Sequence, residues 1–185
     1  MRVIWTVLYL VFEFWVGCGA AAQTASPPQP PPPPAFPCQG EKESAQFDFW
    51  VGEWDVYVQG RLAGRSRIEA LPGGCLITEH YETTPGGFAG KSLNFYDPAA
   101  KAWKQTWVDN SGGIVYFEGH AQAGGMVFTG ERIGRPGSPT GLSRMTFTPQ
   151  ADGTVRQFIE ATRDGGKTWG PVFDGKYVRR KGGAG

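Results

Sequence analysis

Histidine and cysteine are scarce in this chain of 185 residues, which holds two His and three Cys. His80 and His120 are far apart, and neither is spaced from a cysteine as metal ligands are, so no metal-site pattern emerges. An excess of one charge is missing too. Lys plus Arg number 18 against 17 Asp plus Glu, which gives no basic surplus for nucleic acid or an anionic membrane. Long apolar runs are also absent. The apolar stretch at residues 3–12 is cut by Glu13, well short of the about 20 residues that span a bilayer. Nor does any segment sustain the 3.6-residue apolar period of a crossover helix, which argues against a parallel sheet.

Glycine, proline and aromatic residues are abundant instead. The 28 Gly and 15 Pro make up nearly a quarter of the chain, close to low-complexity composition. Seven Trp, 14 % aromatic and 40 % hydrophobic residues nonetheless supply enough apolar surface to offset the ordering entropy of a fold. The length fits one domain.

Residues 1–22 read as a signal peptide: Arg2 supplies the charged start, an apolar stretch follows, and Ala20-Ala21-Ala22 precedes Gln23 as a small-residue cleavage site. Lipid attachment at Cys18 and an uncleaved anchor are the alternatives, and a membrane contact is expected only through such an N-terminal anchor. Residues 23–40 form a Pro-rich linker holding eight of the prolines, expected as a disordered, polyproline II-like spacer. The folded domain is assigned to residues 41–181. The sequence thus points to an exported protein, periplasmic or secreted. Loss of Cys18 with the signal leaves Cys38 and Cys75, an even count in an oxidising compartment, and a disulfide between them is expected.

From Glu41 onward, turn signals recur every 11–15 residues: Gly60, Gly73-Gly74, Gly86-Gly87, Asp97-Pro98, Gly112-Gly113, Gly124-Gly125, Pro136-Gly137, Asp152-Gly153 and Gly165-Gly166. Nine turns separate ten runs rich in Val, Ile, Thr, Tyr, Phe and Trp, the pattern of an all-β sandwich or barrel. The helical signal is confined to a turn or two within residues 44–50. Short connections favour a meander, and ten meandering strands lose their exposed edges most simply by closing into an antiparallel up-and-down barrel. A barrel of this size can enclose a small ligand.

Strand alternation predicts the interior, taking the face without long charged residues as inward. Trp54, Val56 and Val58 share such a face, as do Ser92, Asn94 and Tyr96. Trp103, Gln105 and Trp107 are placed inward because Lys104 must lie outside. Met145 and Phe147 oppose Arg144; Val155, Gln157 and Ile159 oppose Arg156 and Glu160; Phe173 and Tyr177 oppose Asp174 and Lys176. Ile77, Glu79 and Tyr81 share a face, but the other side carries His80 and Glu82, so charge does not single out the inward face of this strand. Trp103, Trp107, Tyr96 and Tyr177 are therefore the expected walls of a ligand cavity. Asn94, Gln105 and Gln157, with Glu79, are its expected polar groups. Either they orient a ligand in a largely apolar pocket, or they satisfy one another as a structural network.

The most distinctive motif is Phe47-Asp48-Phe49-Trp50-Val51-Gly52-Glu53-Trp54-Asp55-Val56. With Ser66-Arg67-Ile68-Glu69, Gly73-Gly74-Cys75, Ser92-Leu93-Asn94, Gln105-Thr106-Trp107-Val108-Asp109, Val155-Arg156-Gln157 and Asp164-Gly165-Gly166-Lys167-Thr168-Trp169, it resembles a bacterial domain-of-unknown-function family. That family carries an FDFWxGxWxV signature and is lipocalin-like, within the calycins. The resemblance spans about residues 38–180 and implies a barrel closed at one end by the Gly-x-Trp segment, with Trp50 and Trp54 as packing residues. It implies no reaction. Some related ten-stranded barrels hold haem through a His near the chain's end, and no His follows His120 here.

Residues 162–169 also match an Asp-box, read here as a structural hairpin because a propeller would need the motif repeated. Ser92 and Ser111 lack a G-x-S-x-G setting. A Glu79/Glu160 carboxylate pair is disfavoured because alternation puts Glu160 outside. No catalytic residue, metal or cofactor is assigned. The sequence points to a small hydrophobic or amphipathic molecule as partner. An isomerase or hydrolase in the same cavity, and a structural or envelope-interaction protein with a filled barrel, are the alternatives.

Overall fold

In the computed structural model, residues 38–133 and 141–180 are described. The predicted signal peptide and most of the Pro-rich linker lie outside them. Ten strands follow one short 3-10 helix at Asp48–Trp50. They are β1 (Gly52–Val58), β2 (Arg61–Ala70), β3 (Ile77–Thr83), β4 (Ala89–Asp97), β5 (Ala102–Asp109), β6 (Ile114–Gln122), β7 (Gly125–Ile133), β8 (Gly141–Pro149), β9 (Val155–Thr162) and β10 (Gly170–Arg179). Each strand pairs antiparallel with its sequence neighbours, and β1 closes on β10 from Trp54↔Arg179 to Val58↔Gly175. The expected ten-stranded antiparallel barrel is the fold, and closure leaves no sheet edge unpaired.

Eight of the nine predicted turns fall between consecutive strands, and the ninth, Pro136-Gly137, lies outside the described residues between β7 and β8. Gln59 and Gly60 show the local reason. Both have positive φ, 50° and 75°, as a two-residue hairpin turn matched to strand twist requires, and glycine accepts that geometry without strain. Between β9 and β10 the Asp-box behaves as a hairpin device. Asp164 Oδ1 accepts from the Lys167 and Thr168 backbone N–H groups at 3.0 and 2.9 Å, and Oδ2 accepts from Thr168 Oγ1 at 2.6 Å.

One end of the barrel is plugged by the motif the sequence made most prominent. Phe47 and Trp50 are fully buried and stacked, ring centroids 4.9 Å apart, and both pack on Phe147, at 4.9 and 4.7 Å. Trp54 Nε1 donates to the Trp50 carbonyl at 2.8 Å, which ties β1 to the plug. Gly52 is needed between them. Its φ is 144°, and the Arg179 guanidinium, stacked over Trp54 at 4.3 Å, lies 2.4 Å from where a Cβ would sit.

Cys38 and Cys75 form the expected disulfide, with Cα atoms 5.0 Å apart and a sequence separation of 37. It ties the segment leading into the plug to the β2–β3 connection. Alternation also holds: Trp54, Val56, Ser92, Asn94, Trp103, Gln105, Met145, Phe147, Val155, Gln157 and Tyr177 are all buried. Glu160 lies outside and ion-pairs with Arg144 at 2.6 Å, so it makes no carboxylate pair with Glu79.

Candidate functional site

Toward the end opposite the plug the barrel is hollow. A cavity of about 430 Å³ opens there, within the range of small-molecule sites. Its walls come from inward positions of β3, β5, β6, β8, β9 and β10: Glu79, Tyr81, Gln105, Trp107, Val115, Phe117, Ser143, Met145, Gln157, Ile159, Phe173 and Tyr177. Asp109, Ser111, Arg132 and Arg163 contribute from the strand ends and connections at the open rim.

The space stays open because aromatic rings are set against glycines on the wall. Trp107 occupies the place of a Cβ at Gly90, its nearest ring carbon 2.2 Å from that position. Tyr81 does the same at Gly64, its nearest ring carbon at 2.8 Å, and Phe117 at Gly130, at 2.4 Å. Any side chain at these positions would push the ring away from the wall.

Glu79 is the one acidic side chain buried among the described residues, 4 % exposed. Ser66 Oγ on β2 donates to its Oε1 at 2.8 Å, and Ser92 Oγ on β4 donates to its Oε2 at 3.1 Å. Behind Ser92 the network continues. Asn94 Nδ2 donates to Ser92 Oγ at 2.9 Å and to the Ile77 carbonyl at 3.1 Å, while its Oδ1 accepts from Gln105 Nε2 at 2.6 Å. The Ile77 carbonyl can only accept, which fixes the Asn94 amide. Asn94 then occupies an acceptor position on Ser92, whose hydroxyl proton is left for Glu79.

Burial pushes the Glu79 pKa up to about 7, and hydrogen bonds from Ser66, Ser92 and Tyr177 pull against that rise. Tyr177 has one hydroxyl proton. The geometry gives it to Gln157 Oε1 at 2.6 Å, with Glu79 close enough to compete for it. Burial and then the Glu79 charge raise the pKa of both Tyr177 and Tyr81, so both phenols stay neutral. At the rim, burial alone would raise Asp109, but hydrogen bonds from Ser111, the Gly113 amide and Trp107 hold it below the usual carboxylate range.

The structure divides the eight residues the sequence singled out. Glu79, Gln105, Trp107, Gln157 and Tyr177 line the cavity. Asn94, Tyr96 and Trp103 do not, although all three are inward on their strands. Trp103 belongs to the plug, its Nε1 donating to Gln46 Oε1 at 3.1 Å and its ring 5.6 Å from Phe47. Tyr96 packs edge-on against Trp103 at 6.3 Å. Asn94 is fully buried, and its amide is spent on Ser92, Ile77 and Gln105. Inwardness alone did not give depth, and these three sit toward the closed end.

Sequence reading missed Ser66. Arg65 and Arg67 flank it, so alternation would have turned it inward, opposite Tyr81 in the β2–β3 register. Among the described residues, no group of three or more His, Cys, Asp or Glu side chains comes together as a metal site would require. No protein-family model matches the chain, and no curated protein matches it.

Proposed function

We propose that this is an exported binding protein that holds one small, partly apolar molecule in the open half of its barrel. The observation that carries the reading is the cavity itself: about 430 Å³, apolar walls, and a few polar groups, Glu79, Gln105, Gln157 and Tyr177, set among them. A filled, purely structural barrel would leave no such space. Export is supported by the signal-like residues 1–22 and by the Cys38–Cys75 disulfide, a bond that persists in oxidising compartments. The FDFWxGxWxV resemblance to a lipocalin-like family accords with a barrel of this kind.

The test is native mass spectrometry of the purified protein, with ligand affinities then measured in Gln105→Leu and Trp107→Ala. A bound small molecule whose affinity falls in these variants supports the reading; affinities unchanged in both contradict it.

One observation favours a second reading, an acid–base enzyme such as an isomerase. The Glu79 pKa of about 7 suits proton transfer near neutral pH. Turnover of a ligand that disappears in Glu79→Gln would support that alternative.

A further inference from the structure

The Glu79 carboxyl is held as an anion would be held, yet the barrel gives it no cation. Ser66 and Ser92 aim hydroxyl protons at its two oxygens, and Asn94 secures Ser92 in that role. Hydrogen bonds of this kind favour the ionised form. Among the described residues, however, no Lys, Arg or His pairs with Glu79; every ion pair lies on the outer surface or at the barrel ends. A carboxylate accepts at about four positions, so donors from the protein leave acceptor capacity unused. The carboxyl lines the cavity, and aromatic rings of Tyr81, Trp107 and Phe117 stand around the same space.

We propose that the cavity is built for an amine: a small molecule with one protonated nitrogen on an apolar body, its ammonium docked on Glu79. This rests on the binding reading above and names its ligand class. The ammonium supplies the counter-charge that the desolvated carboxylate lacks, and an N–H donor for its remaining lone pairs. The aromatic faces attract the same cation through their quadrupoles. A neutral alcohol of equal size gains only the hydrogen bond, and a carboxylic acid meets like charge. Arg132 and Arg163 are exposed at the rim, where solvent and salt screen them, whereas a charge beside Glu79 acts through a low-dielectric interior.

The groups facing Glu79 leave it as the one that titrates near neutrality. Ser66 on β2, Ser92 on β4, Gln105 on β5 and Gln157 on β9 do not ionise, and Tyr81 on β3 and Tyr177 on β10 are shifted upward. Amine affinity therefore rises with pH as Glu79 loses its proton.

The test uses the full chain loaded with a neutral fluorescent reporter, N-phenyl-1-naphthylamine. The reporter is displaced by 3-phenylpropan-1-amine, 3-phenylpropan-1-ol or 3-phenylpropanoate in wild type, Glu79→Gln and Glu79→Asp. At pH 8 the amine should displace it at a concentration about ten-fold or more below the alcohol, a gap of roughly 1.4 kcal/mol. That advantage should vanish in Glu79→Gln, shrink as pH is lowered to 6, and persist in part in Glu79→Asp. Equal displacement by amine and alcohol in wild type overturns the amine proposal, as does an advantage that survives in Glu79→Gln. Failure of the reporter to bind any of the three proteins overturns the cavity reading itself.

Discussion

Asn94 donates to Ser92 Oγ at 2.9 Å, and through that contact a residue that does not line the cavity governs a carboxyl that does. Ser92 in turn donates its hydroxyl hydrogen bond to Glu79 Oε2, so the polarity of the chain from Gln105 to Glu79 is set by one amide. Ser66, Ser92 and, through Ser92, Asn94 hold Glu79 in place, while Glu79, Gln105 and Gln157 present themselves to the cavity.

Replacing Asn94 by Leu removes that amide. Gln105 Nε2 loses its acceptor and the Ile77 carbonyl a donor, each a buried group left unsatisfied at about 1–3 kcal/mol. Urea denaturation should show a loss of that order. Carboxyl-resolved NMR titration should show the Glu79 pKa moving further up, because Ser92 is no longer pinned as its donor. An unchanged Glu79 titration would remove Asn94 from the network.

Glu79 also makes stability depend on pH in a direction opposite to most carboxylates. Its folded pKa, about 7, lies above its ordinary value of 4.5, so the folded state binds the proton more tightly than the unfolded chain. Its contribution is fully present below pH 4.5, falls as pH rises toward 7 and then levels off. The span is roughly 3 kcal/mol for a shift of this size. Asp109, Asp152 and Asp164, all shifted downward, act at lower pH and with the opposite sign. The difference in unfolding free energy between wild type and Glu79→Gln should therefore slope against the wild type from pH 4.5 to 7. A flat difference would mean that Glu79 ionises freely.

Gly90→Ala places a methyl where the Trp107 ring lies, 2.2 Å from its nearest carbon. The ring must turn into the lumen, at an overpacking cost of about 1–3 kcal/mol. Weaker binding of any cavity ligand and a lower urea midpoint are both expected. Loss of stability with undiminished binding would show that Trp107 does not bound the cavity.

The fold was legible because its signals are local. Turn residues, each answering a backbone requirement such as the positive φ of Gly60, marked off the ten strands, and alternation told inside from outside. Depth along the barrel was not legible. Trp103 and Trp107 sit on the same face of β5, yet one belongs to the plug and the other to the cavity. What separates them is the plug's packing against the lower barrel, set by contacts such as Gln46 with Trp103 across 57 residues. The weight of Glu79 was hidden for a similar reason. On β3 the outward face carries His80 and Glu82, and only the arrival of Ser66 and Ser92 from neighbouring strands makes an inward carboxylate tolerable.

The disulfide gives an independent check on the plug. Opening a loop of 37 residues should cost about 3–4 kcal/mol on the chain-entropy account. Cys38→Ser with Cys75→Ser should lower the urea midpoint accordingly while the barrel keeps its far-ultraviolet signature. Intact mass unchanged by reduction would mean that the bond does not form in solution.

The most direct test of the central claim is whether the open half of the barrel takes up a small apolar molecule. N-phenyl-1-naphthylamine titrated into wild type and into Ala161→Trp, a variant that fills the lumen from β9, measures this in one experiment. Saturable, blue-shifted fluorescence at one dye per chain is expected in wild type, and its loss in a folded Ala161→Trp. No saturable binding in wild type, or equal binding in both proteins, would contradict it.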